Sequence, residues 1–291
     1  MNNCKECQST SLIFLNTYKR KWFLCSDCGS GYPVQKTLYP LSFLPMKVFK
    51  RSEVSEEGMY DYFTSEVHVK HSKNEAKSFI EKYVNTSLIT LKNKKILDIS
   101  GGNGAFLAEL CKLGSSGVLT EINAPALAFA KGHFNLEVTK YNFNEDCISK
   151  TFKEKFDYIF LRACTMFCVD LKKFVSEIKQ LLNPGGKVFV QYAVYPTLGT
   201  LLRTQIDEYS YIALRSPEII ENTFVSAGFK TSFYNKEIDE TLYVYDHDLL
   251  YSWLFLHYLY EIPAIRKLKG VSHLDFRARE RRRSNFIFEI I

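Results

Sequence analysis

Two groups of residues in this 291-residue chain have types and spacings that suit chemistry. The first is the pair Cys4-x-x-Cys7 and Cys25-x-x-Cys28. Two such knuckles supply four soft thiolate ligands, the set that closes a tetrahedral coordination sphere around zinc and leaves no open position for catalysis. Trp22, Phe23, Leu24 and Tyr32 lie close by in sequence and offer the apolar packing that so small a module needs. The second group is Lys95-Ile-Leu-Asp-Ile-Ser-Gly-Gly-Asn-Gly-Ala-Phe-Leu. An apolar run ends at Asp98, a turn of Ser100, Gly101, Gly102 and Gly104 follows, and a helical pattern begins. Glycines at such a turn let the backbone approach a ligand closely. Glu121 closes the next apolar run, where a carboxylate accepts hydrogen bonds from ribose hydroxyls. The two groups predict a structural metal and a nucleoside-containing ligand.

The elements that must position these residues read as a regular alternation. Short apolar strands are predicted at 95–99, 118–122, 137–141, 156–161 and 187–192, with helices at 105–112, 124–131 and 171–182 between them. Strand and helix in alternation imply right-handed βαβ units and a parallel sheet covered on both faces. Asn183-Pro-Gly-Gly186 is a helix stop and turn. A further helix is expected at 217–227, then strands at 229–234 and 241–245 pairing antiparallel across a short polar link. Upstream, 74–84 has an N-cap candidate and helical apolar spacing. This gives four regions: a metal module at 1–45, a helical connector or lid at 46–90, an α/β domain at 91–245, and a C-terminal extension at 246–291 that is aromatic, then basic, then apolar.

Composition narrows the class. An apolar fraction of 46% and a charged fraction of 24% are those of a globular protein, and the net charge of +6 permits an anionic ligand without demanding one. The remaining cysteines, Cys111, Cys147, Cys164 and Cys168, are scattered. The first residues lack a basic stretch followed by an apolar one, so a cytoplasmic location with reduced thiols is expected. No stretch reaches the ~18 apolar residues of a membrane-spanning helix. The nearest, 249–265, is interrupted by Ser252, His257, Glu261 and Pro263.

The segment 95–107 resembles the first motif of class I S-adenosylmethionine-dependent methyltransferases, an apolar residue followed by Asp-x-Gly-x-Gly-x-Gly. Ser100 stands at the first glycine, and Gly102 and Gly104 fit the other two. Phe156-Asp-Tyr-Ile-Phe-Leu and Leu181-Leu-Asn-Pro-Gly-Gly-Lys-Val resemble the family's fourth strand and the segment that follows it. The resemblance implies a Rossmann-like fold: a mostly parallel seven-stranded sheet with an antiparallel last strand. It also implies S-adenosylmethionine as cofactor, with Asp98, Ser100, Gly101, Gly102 and Gly104 against it, Glu121 on its ribose, and Phe143 or Asn144 at its adenine. The Gly-x-Gly-x-x-Gly fingerprint of nicotinamide-binding domains is absent.

A four-cysteine module ahead of such a domain resembles methyltransferases of nucleotide-linked sugars and surface glycans. Tyr60-Asp-Tyr-Phe-Thr-Ser65 resembles a Tyr-x-Tyr-x-Ser-Ser stretch of sugar C-methyltransferases that lies near the cofactor's methionine end. Arg215-Ser-Pro-Glu218 and Ala227-Gly-Phe229 resemble a later part of the same group. The histidine usual before Ser-Pro-Glu is missing, with Tyr211 near its place, and the group's long C-terminal domain is replaced by the tail, so O-, N- and C-methylation stay open. His68, His71, Tyr209, Tyr211 and Arg162 are candidates for a base by position. The expected acceptor is therefore a small sugar-containing molecule or glycan. The alternatives are RNA, which the basic cluster Arg277, Arg279, Arg281, Arg282 and Arg283 would suit, and a catalytically inactive binding protein of the same fold. No Asn/Asp-Pro-Pro-Tyr-type motif follows the fourth strand, where the chain reads Leu161-Arg-Ala-Cys-Thr-Met.

Overall fold

In the computed structural model, which describes residues 3–16, 21–28, 30–35, 63–192, 213, 215–238 and 282–290, two sheets form. The N-terminal one is a three-stranded antiparallel meander of β1 (Leu12–Asn16), β2 (Lys21–Cys25) and β3 (Gly31–Gln35). It belongs to a compact unit that also includes Tyr192, Ala213 and Arg215–Ile220.

The second sheet has seven strands. These are β4 (Lys95–Ile99), β5 (Ser116–Glu121), β6 (Glu137–Lys140), β7 (Phe156–Arg162), β8 (Leu182–Tyr192), β9 (Phe229–Ile238) and β10 (Arg282–Ile290), in the spatial order β6-β5-β4-β7-β8-β10-β9. Strands β6, β5, β4, β7 and β8 pair in parallel, and the last strand is antiparallel. The helices are α1 (Glu66–Phe79), α2 (Ala105–Cys111), α3 (Ala124–Phe134), a single turn α4 (Ile148–Thr151), α5 (Leu171–Gln180) and α6 (Pro217–Ser226). The order reverses direction beside β4, and the glycine turn leaves the carboxyl end of that strand. In open α/β sheets, ligands bind at such a switch point.

The chemistry of the elements explains their places. Ile96, Leu97 and Ile99 of β4 are fully buried, as a central parallel strand covered on both faces requires. Helix α5 buries Leu171, Phe174, Val175 and Ile178, and Asp170 caps it by accepting from the Lys173 amide at 3.0 Å. Asn123 caps α3 in the same way, and Asn135 ends it in the left-handed conformation. The core is aromatic: the Phe79 ring meets Phe106, Phe160 and Phe189 at centroid distances of 5.9, 5.1 and 5.2 Å.

Several expectations shift. The helix expected at 74–84 begins two turns earlier, at Glu66, capped by Ser65, and its last turn (Ile80–Val84) widens to π geometry. Its upstream turns are polar, so they carry little of the apolar period. Asn183–Gly186 does not separate helix from strand by a free turn. It is a bulge within β8, where the register against β7 jumps between Phe156 and Tyr158. The expected strand at 241–245 lies outside the described residues. The strand that neighbours both β8 and β9 is β10, from the tail to which sequence alone assigned no fold.

Candidate cofactor and metal sites

The glycine turn is held by its own backbone conformation and by β5. Ser100 and Gly102 take φ of 56° and 62°, and Gly104 76°. A serine in this left-handed region costs about 1–3 kcal/mol, a cost that the surrounding contacts must offset. The Gly101 amide donates to the Thr120 carbonyl at 3.1 Å, and the Ser100 amide reaches the Thr120 hydroxyl at 3.4 Å. Gly101 has no room for a side chain: a Cβ there would lie 2.2 Å from Leu119 Cδ1 and 2.5 Å from Asp98 Oδ2.

Glu121 is 7% exposed at the end of β5 and binds the turn directly. Its Oε2 accepts from the Gly102 amide at 3.2 Å, and its Oε1 accepts from Ile122 and Asn123 amides at 2.8 and 3.2 Å. A carboxylate has about four acceptor positions, and three are thus taken. Burial pushes its pKa upward; the three amides pull it back, and the nearby Asp98 charge adds to the rise.

Asp98 is fully buried and faces Arg162 at the end of β7, with Nη2 to Oδ2 at 3.1 Å. Arg162 also donates to Glu75 of α1 at 2.9 Å and to the Gly101 carbonyl at 3.4 Å, and its guanidinium lies 3.9 Å from the Phe106 ring centroid. Burial opposes the charge on Arg162, but the Asp98 and Glu75 carboxylates outweigh it and hold the group protonated. Arg162 is thus a poor base. Its ion pairs tie α1 to the glycine turn. The Asn103 side-chain amide makes a second tie, donating to the Phe63 carbonyl at 3.1 Å, and Phe63 Cε1 would sit 3.4 Å from a Cβ on Gly102. The end of the Tyr60–Ser65 segment therefore lies on the turn; Tyr60, Asp61 and Tyr62 are outside the described residues.

The structure brings Asp98, Ser100, Gly101, Gly102, Gly104 and Glu121 together. Phe143 and Asn144 have other described partners. Phe143 packs its ring on Phe174 and Tyr141, and the Asn144 side chain links the Phe167 carbonyl and the Val169 amide, each at 3.0 Å. Of the candidate bases, His71 contacts Glu75 at 3.5 Å, His68 lies on α1, and Tyr209 and Tyr211 are outside the described residues. Sequence reasoning missed Glu75 and Arg162 as partners of the turn. An arginine ending a parallel strand, at the edge where ligands bind, was the available signal.

In the N-terminal unit the sulfur atoms of Cys4, Cys7, Cys25 and Cys28 all lie within 4.8 Å of one another. Cys4 and Cys28 are 3.6 Å apart, and Cys7 and Cys25 3.5 Å, with all four thiols free. Four sulfurs at a Zn–S distance of ~2.3 Å would be about 3.8 Å apart in a regular tetrahedron, so the set fits zinc closely. Burial raises the Cys25 thiol, but the amides of Cys28 and Asp27 outweigh it and bring it down to about 7. The expected packing holds for Tyr32, which is buried beside Cys4 and Cys25, and Phe23 packs edge-on to Phe14; the side chains of Trp22 and Leu24 lie outside the description.

Residues 97–190 match the family model described as a methyltransferase domain. The fold is that of a class I methyltransferase. A ubiquinone biosynthesis O-methyltransferase of Coxiella burnetii is 29% identical over 105 residues, 35% of this chain and 44% of that protein. The chain spans from about a quarter to about half of the length of the curated relatives it matches. Among solved structures, phosphoethanolamine N-methyltransferase 2 of Haemonchus contortus, in complex with S-adenosyl-L-methionine, superposes with a TM-score of 0.53 at 16% identity, covering 96% of this chain and 70% of that one. The [4+2]-cyclase SpnF superposes equally well, at 0.53 and 15% identity over 75% of this chain and 80% of its own. The methyltransferase fold therefore does not by itself fix the reaction. No helix among the described residues is long and apolar enough to cross a membrane.

Proposed function

We propose that the protein is an S-adenosylmethionine-dependent methyltransferase whose acceptor is a small molecule, and that a structural zinc ion occupies the four-cysteine site. The observation that carries the first part is the Gly102 amide bonded to a buried Glu121 at the end of the adjacent strand. That contact sets a carboxylate with one acceptor position to spare beside a backbone turn at the sheet's switch point. There Glu121 would accept from a ribose hydroxyl, and the turn from Ser100 to Gly104 would lie against the cofactor. Phe143 and Asn144 remain the proposed adenine contacts. The cofactor supplies an electrophilic methyl on a sulfonium sulfur, and the chain's part is to hold the acceptor in line with it, a contribution worth several kcal/mol or more when alignment is good.

For the acceptor class, a nucleotide-linked or glycan sugar is favoured by the placement of Phe63 on the turn together with the cysteine module. A quinone-like aromatic acceptor is the second reading, favoured by the names of the curated relatives. The test is transfer from labelled cofactor to panels of nucleotide sugars, hydroxylated aromatics and total RNA. Label in a sugar nucleotide is the expected result. Label in RNA alone, with RNA binding that weakens ~10³-fold between 50 and 200 mM salt, would replace this reading. Calorimetric titration with S-adenosylmethionine tests the cofactor, and absence of binding would favour the inactive fold.

A further inference from the structure

The x-x positions of the first knuckle contain Glu6, between Cys4 and Cys7, and its side chain is only 4% exposed. Its Oε1 takes two donors, the Tyr32 hydroxyl at 2.5 Å and the Arg215 Nε at 2.7 Å. Arg215 has a side chain 1% exposed, and its own carbonyl accepts from the Tyr192 hydroxyl, which is also buried. Ala213 packs with Cys4, Cys25 and Tyr32 in one apolar cluster. A guanidinium 209 positions away in sequence is thus buried against the metal knuckle.

Charge explains why it is there. Zinc held by four thiolates carries two net negative charges, and Glu6 adds a third within the same loop. Cys7 is exposed and lets water screen part of the cluster's charge, but the Glu6 carboxylate is buried, and a buried carboxylate needs a partner that water cannot supply. The Lys5 ammonium lies over the Tyr32 ring at 5.7 Å, but Lys5 itself is exposed. We infer that Arg215 is an outer-sphere positioning residue of the metal site: through Glu6 it fixes the Cys4–Cys7 knuckle and balances the tetrathiolate charge. The inference rests on the zinc reading above. It also means that the cysteine module is not self-contained, since an essential group arrives from residues 213–220. Reciprocally, metal binding orders that segment, which leads into α6.

The test uses the full chain loaded with zinc. Zinc affinity is measured by competition with a chromophoric chelator, and amide exchange is followed over 213–220 with and without metal. Arg215→Met should lose ~10- to 100-fold in zinc affinity, the range for loss of an outer-sphere partner. Arg215→Lys should recover part of it. The double variant Glu6→Gln with Arg215→Met should bind zinc more tightly than Arg215→Met alone, since the negative charge that lost its guanidinium partner is then also gone. Stripping zinc from the wild type should raise exchange at 213–220. Cofactor affinity should not change in any variant. If Arg215→Met proves insoluble, the exchange measurement on the wild type decides. Wild-type protein that binds no zinc overturns the metal reading itself. Wild-type protein that binds zinc, with Arg215→Met equally tight or with exchange at 213–220 indifferent to metal, overturns only the role of Arg215.

Discussion

The two sheets of this protein are held together by different means. In the seven-stranded sheet, Phe79, Phe106, Phe160 and Phe189 converge with the aliphatic residues of β4 and β5, and order follows from the burial of large apolar surfaces. In the three-stranded unit the buried apolar cluster among the described residues is Cys4, Cys25, Tyr32 and Ala213, with Leu12 and Cys28 beside it, while Ile13 and Phe14 are half exposed. On the zinc reading, the cysteines and the Glu6–Arg215 pair carry the order there. On that reading one region is specified by size and shape, the other by ligand chemistry and charge.

The sharpest break between them is metal removal. Zinc binding to such modules supplies about 10–16 kcal/mol, so chelation or Cys4→Ser should abolish amide protection across β1–β3 while S-adenosylmethionine still binds. Simultaneous loss of cofactor binding would show that the two regions are not energetically separate. The converse perturbation is Phe160→Ala, at a residue 1% exposed with three aromatic neighbours within 5.4 Å. It should cost about 3–5 kcal/mol, read as a lower urea midpoint with unchanged zinc content.

Smaller effects sharpen the picture of the cofactor site. Glu121→Ala should weaken S-adenosylmethionine by about 10- to 100-fold in calorimetry, equivalent to ~1.4–2.8 kcal/mol. Equal dissociation constants would place the ribose elsewhere. The smallest effect is that of pH. Burial raises the pKa of Glu121, and a ribose hydroxyl donates more strongly to the ionised carboxylate than to the neutral acid, so affinity should fall as pH drops through this raised value. An exposed glutamate would produce the fall at lower pH. Glu121→Gln should remove that dependence. In the protein without cofactor the sign is opposite: the raised pKa contributes stability below the ordinary carboxylate range and loses it as pH rises.

What could be read from sequence was whatever is encoded within a few dozen residues. The turn from Ser100 to Gly104, the carboxylate at 121 and the two cysteine pairs are each local patterns; in the structure the Gly102 amide meets Glu121, and the four sulfurs lie within 4.8 Å of one another. Arg162 was legible only as a position, because its partners Asp98 and Glu75 lie on two other elements and nothing local marks an ion pair. The same holds for Glu6 and Arg215. Strand β10 was missed for a different reason. Its short apolar run Phe286-Ile-Phe288 follows a run of arginines, and Arg282 and Arg283, counted in a basic cluster suited to RNA, open the strand.

The position of β10 between β8 and β9 has a consequence for how the molecule is made. Phe286, Ile287 and Phe288 are buried there, with Phe288 stacked on Phe224 at 4.1 Å and the Ile287 carbonyl accepting from Ser232 at 3.1 Å. A ribosome emits β4 through β8 well before β10, at roughly 5–20 residues per second. For that interval the nascent sheet ends at β8, with a row of unsatisfied amides and carbonyls where its neighbour will go, a template for pairing with another chain. The strand that closes the sheet is therefore translated long after its neighbour β8, and a chain cut shortly before residue 282 would be open-edged and aggregation-prone.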